Sequence, residues 1–118
     1  MAVSPEFRDY VLEMLEPLGG VTARRMFGGA GLYRDGTIFA LVAGDVLYFK
    51  VDDANRADYE AAGTGPFRPF EDKPFAMPYW EVPADILEDP AEICAWAAKA
   101  WEAGRRAGPP PKRKRRQT

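Results

Sequence analysis

The sequence contains no histidine, one cysteine (Cys94) and one serine (Ser4). Without histidine the commonest general base and the commonest metal ligand are missing. Neither a Ser-His-Asp nor a Cys-His nucleophile can be assembled within the chain. A single cysteine cannot close an internal disulfide, and with no histidine beside it cannot build a structural zinc site. Carboxylates remain for hard cations, but they are scattered, and no stretch alternates acidic ligands with the turn glycine of a calcium loop. No cofactor and no metal are therefore expected. A catalytic role would have to rest on Asp, Glu, Lys, Arg or Tyr, and the expectation is a protein that is not an enzyme. Long apolar runs are absent too. None approaches the ~18 residues of a membrane helix, and MAVSPEFRDY at the start has no basic segment followed by an apolar block. No membrane partner is expected, and the single cysteine fits a reducing cytoplasm.

What is present fits one compact domain. The chain has 118 residues, of which 47% are hydrophobic, 29% charged and 13% aromatic, a composition that can bury a core but not two. Charge is segregated. The net value of −2 comes from 16 basic and 18 acidic residues. Every acid lies at or before Glu102, so residues 1–104 hold nine basic against 18 acidic residues, −9, while residues 105–118 hold +7. The expected organisation is a folded domain over 1–104 and a basic tail over 105–118.

Ser4 and Pro5 signal a helix start. Phe7, Tyr10, Val11, Met14, Leu15 and Leu18 form a stripe of helical period, which Gly19 and Gly20 end. Residues 21–29 are β-rich but interrupted. Three strands follow in residues 30–51, with hairpin turns at Asp35-Gly36 and Gly44-Asp45. Asp52 or Asp53 is expected to cap a helix running to Ala62. The prolines of PFRPF (66–70) allow at best an edge strand or extended loop, and MPYWEVP (77–83) reads as the last strand. Asp89-Pro90-Ala91-Glu92 is a capping box for a closing helix that buries Ile93, Trp96, Ala97, Ala100 and Trp101 and ends near Gly104. Residues 108–118 carry nothing that could anchor them to a core and read as disordered or polyproline-like. The fold class is thus α+β: a helix, a three-stranded antiparallel meander, a helix, two strands and a helix, as one sheet with flanking helices.

RRMFGGAGLYRDG (24–36), FALVAGDVLYFKVD (39–52), YEAAGTGPF (59–67) and MPYWEVPADILED (77–89) together resemble the N-terminal domain of the TfoX/Sxy family, bacterial competence regulators. The resemblance covers roughly residues 5–104. It implies an α+β fold with an antiparallel sheet, and a non-enzymatic role as a protein partner of transcription machinery. Longer family regulators carry a second, helical domain; this chain, ending in a basic tail, is similar to the stand-alone form.

Several residues are candidates for binding. Arg24 and Arg25 precede MFGGAG, where Gly28 and Gly29 offer backbone N–H groups to an anion. No Gly-Lys-Ser/Thr ending follows, so a nucleotide P-loop is excluded, and the simpler alternative is a bulge or close backbone packing. Tyr79 and Trp80 point to opposite faces of a strand, and whichever lies outward is a candidate contact residue. Phe39, Leu47, Phe49 and Phe67 are read as core rather than as base-stacking rings. Cys94 is read as an inert, half-buried thiol.

Lys112, Arg113, Lys114, Arg115 and Arg116 form the strongest charge feature, suited to non-specific, salt-dependent contact with nucleic acid phosphates. Two functions follow. One is a regulatory module that binds a protein partner through its fold and nucleic acid through its tail. The alternative is a small-ligand or anion-binding domain, enzymatic or not, built on Arg24, Arg25 and the glycine-rich turn. A homodimer is expected from the sheet's need to protect an apolar face or edge.

Overall fold

The computed structural model describes residues 5–26, 29–67 and 78–108. Helix α1 spans Pro5–Met14 and passes through a 3₁₀ turn, Glu16–Leu18, that contains Pro17. Proline removes the N–H that would continue the α-helix, so the chain tightens one turn before the two glycines. Strands β1 (Val21–Met26), β2 (Gly29–Arg34), β3 (Thr37–Ala43) and β4 (Val46–Lys50) then run back and forth. Helix α2 (Arg56–Ala62), strand β5 (Tyr79–Glu81), a short α3 (Ala84–Leu87) and the long α4 (Pro90–Ala107) complete the fold. The five strands form one antiparallel sheet in sequence order, β1-β2-β3-β4-β5.

The expected α+β architecture is present, with differences in detail. Residues 21–26 form a full strand, so the meander has four members before α2 rather than three. From PFRPF only a bridge from Pro66 to Trp80 is described, at the outer side of β5, where proline is tolerated; residues 68–77 lie outside the described residues. Both hairpin turns fall where expected. Asp35 and Gly36 have φ of 51° and 80°, and Gly44 and Asp45 of 58° and 61°, the two positive-φ residues of the turn type that matches strand twist. Helix α2 starts at Arg56, later than expected. Asp52 accepts instead from the Ala54 N–H, and buried Asn55 ties the turn down: its Oδ1 accepts from Asp52 N–H at 2.8 Å and its Nδ2 donates to the Lys50 carbonyl at 3.1 Å. Asp89 caps α4, accepting from the N–H groups of Ala91 and Glu92, but the reciprocal half of the capping box does not form: its own N–H donates to the Ile86 carbonyl at 3.1 Å.

The core lies between the sheet and α4, with α1 alongside. Ala30, Leu32, Ala40, Val42, Leu47 and Phe49 line the helix-facing side with Val11, Leu15, Ile93, Ala97 and Ala100. A bulge at Leu32/Tyr33 adds one residue to β3 and turns Phe39 inward, where its ring lies 6.1 Å from that of Phe49. Burying each such ring contributes about 1.5–3 kcal/mol. Trp96 and Trp101 are half-buried at the rim of this core, and Phe67 is half-buried against Tyr48, rings 4.8 Å apart, rather than inside it. Helix α4 does not stop near Gly104. It continues to Ala107 and is closed by Gly108 at φ 77°. Gly104 is a packing glycine: a Cβ there would sit 2.6 Å from the Ile38 carbonyl oxygen and 2.9 Å from Thr37 Cγ2.

Candidate interaction surface

The β1–β2 pairing fixes where the two arginines go. Arg24 pairs with Gly31 and Arg25 with Ala30, and adjacent strand residues project to opposite faces. The two guanidinium groups therefore do not converge on one pocket. Both residues are exposed. The Arg24 guanidinium lies 5.6 Å from the centre of the Tyr33 ring, a contact that holds it against the face opposite the helices. Gly29 is buried in β2 opposite Met26, and a side chain on it would run into the Val42 carbonyl. Its place is explained by close approach of backbones. Gly28 lies outside the described residues, as do Lys112, Arg113, Lys114, Arg115 and Arg116.

Tyr79 and Trp80 do point to opposite faces, and neither stands free. Tyr79, on the face shared with Arg24, is 5% exposed, and Lys50 lies 5.1 Å above its ring. Burial, with the nearby Tyr33 hydroxyl adding to it, pushes its phenol up to about 12. Burial also pulls the Lys50 ammonium down. Trp80, half-buried, meets the Tyr59 ring edge-on at 6.3 Å on the helix side.

Sequence reading missed the organisation of the last helix. Trp101 is clasped between two arginines, with the Arg34 guanidinium 4.3 Å and the Arg105 guanidinium 5.0 Å from its ring centre, and its Nε1 donates to the Arg34 carbonyl at 2.8 Å. Arg106 donates from two nitrogens to Asp52, at 2.7 and 3.1 Å. The guanidinium holds the Asp52 carboxyl below its ordinary range. Both arginines counted with the tail thus belong to the folded domain. Cys94 is half-buried on α4 and donates to the Met14 carbonyl at 3.3 Å, and burial pushes its thiol up. Among the described residues, no three or more Asp, Glu, Cys or His side chains gather as a metal site would require, and no helix is long and apolar enough to cross a membrane.

The element order, the glycine-dependent β2–β3 contact and the closing helix can be set against known proteins. Comparison with curated proteins gives no match. The family model described as the TfoX N-terminal domain matches residues 13–104, from the end of α1 to the buried glycine of α4. The chain therefore belongs to the TfoX N-terminal domain family, which is associated with competence and its regulation.

Proposed function

We propose that the chain is a non-enzymatic regulatory module of the cytoplasm, whose folded domain binds a protein partner in the transcription machinery and whose basic run at Lys112–Arg116 adds non-specific affinity for nucleic acid. The family match over nearly the whole fold carries the first half. The second half is supported by charge order along the chain: Arg105 and Arg106 are engaged with Trp101 and Asp52, so the five consecutive cations Lys112–Arg116 are the part of the sequence suited to phosphates.

The structure sets where to cut. Truncation after Gly108 leaves α4, its cap and the Arg106–Asp52 pair in place. Fluorescence anisotropy with a short labelled duplex should show the full chain binding at 50 mM salt and weakening several hundredfold by 200 mM, as roughly five released counterions require. The truncated chain should bind little at either salt. Equal binding by the two forms would remove the nucleic-acid half of the reading.

A further inference from the structure

We propose that β1 is an acceptor edge for an extended, acidic strand of a protein partner, with Arg24 and Arg25 pairing with acidic side chains on the two faces of the added strand. This rests on the reading of the domain as a protein-binding module and names the surface it would use.

The two rims of the sheet differ. Beyond β5 the backbone is already engaged: Phe67 N–H donates to the Tyr79 carbonyl at 2.7 Å, Glu81 N–H to the Gly65 carbonyl at 3.0 Å, and Pro66 bridges Trp80. Proline next to that edge has no N–H to offer a further strand. Strand β1 has β2 as its only strand neighbour among the described residues. Over its six residues, alternate positions turn both N–H and C=O outward, a row of donors and acceptors at strand spacing.

Two cations sit at this edge without a carboxylate partner among the described residues. The ion pairs among the described residues, Arg8–Asp9, Arg56–Asp53, Lys99–Asp58 and Arg106–Asp52, all involve the helices or the turn leading into α2. Neither Arg24 nor Arg25 is in one. No carboxylate among the described residues neutralises β1. A second copy fits poorly, since antiparallel pairing of two β1 edges would bring four arginines together, and facing like charges destabilise a sheet. A strand bearing adjacent acids reverses that sign on both faces at once. Nucleic acid would satisfy the charges but not the outward backbone row. Nor is the face beside Arg24 an open stacking platform, with Leu41 and Tyr79 on it 6% and 5% exposed. Main-chain bonds supplying affinity and side chains supplying choice is the usual division in strand addition.

The test uses the full chain, isotope-labelled, titrated with a blocked eight-residue peptide of valines and threonines carrying two adjacent glutamates. The expected result is movement of the residue 21–26 amide signals and slowed solvent exchange of the alternate amides. The double variant Arg24→Glu/Arg25→Glu should bind this peptide about tenfold more weakly or worse, and should instead take up the version with lysines for glutamates. Unchanged spectra outside β1 show that this surface variant still folds. The proposal is overturned if the acidic peptide leaves β1 unmoved, if the double variant binds it as well as the parent, or if a thymidine oligonucleotide moves the β1 amides and the peptide does not. Capture from the native host separates this from the module reading. A partner retained equally by the double variant sinks the β1 assignment alone, whereas recovery of no protein by the parent chain sinks the module reading itself.

Discussion

Three buried positions show how differently polar atoms and missing atoms weigh at the scale of one residue. Asn55 is 2% exposed and bonds both the Asp52 N–H and the Lys50 carbonyl. Asn55→Ala should cost about 1–3 kcal/mol in a urea denaturation series, because two buried backbone groups lose their partner. Tyr59 is as deeply buried, between Trp80 and Trp96, yet its hydroxyl has no hydrogen-bond partner among the described residues. Burial drives that phenol well above its ordinary range. Tyr59→Phe removes an orphaned group and keeps the ring contacts, so the same series should find it neutral or stabilised by up to about 1 kcal/mol. Gly104 presents the opposite problem. Alanine is the better helix former, but here its methyl would press on the Ile38 carbonyl and Thr37. Gly104→Ala should lower stability by about 1–3 kcal/mol through overpacking.

Among elements, the contact between the last turn of α4 and the turn after β4 is the one that responds to pH. Arg106 depresses the Asp52 carboxyl below the ordinary value of 3.8. An acid whose value falls on folding binds fewer protons in the native state, so its stabilising contribution is complete above about 3.8 and is lost as pH falls below it. Asp52→Asn should flatten the acid limb of a stability–pH curve in that window and lower neutral-pH stability by the same small amount, since the pair is partly exposed and screened. The elements also show what could be read in advance. The hairpins were legible because positive φ favours Gly and Asp at those positions. Strand β1 was obscured because Arg24, Arg25 and the following glycines break the apolar alternation that marks strands. Gly104 passed for a helix terminator, because a glycine spared for packing and one spared for a left-handed cap look alike in sequence. Arg24 and Arg25 were legible as a candidate site from their neighbours. Their place at the sheet's rim was not, since strand order is decided by packing between segments far apart in the chain.

For the molecule as a whole, charge is sorted by layer as well as along the chain. Among the described residues, Arg8, Arg56, Lys99 and Arg106 on the helical side pair with carboxylates of that side, while Arg24 and Arg25 of β1 have no such pair. Because α4 keeps its cap at Gly108 and its clasp around Trp101, the form truncated there should melt with the full chain, so that lost nucleic-acid binding is not lost folding. The sequential meander carries a different consequence, for biosynthesis. Each strand pairs with the one made just before it, so the sheet can zip together while the chain is still being translated. Its apolar face is covered mainly by α4, which is made after the last strand. Until Ile93, Ala97 and Ala100 leave the ribosome, the nascent sheet presents its future core to solvent, and that interval is when this protein most needs shielding from aggregation.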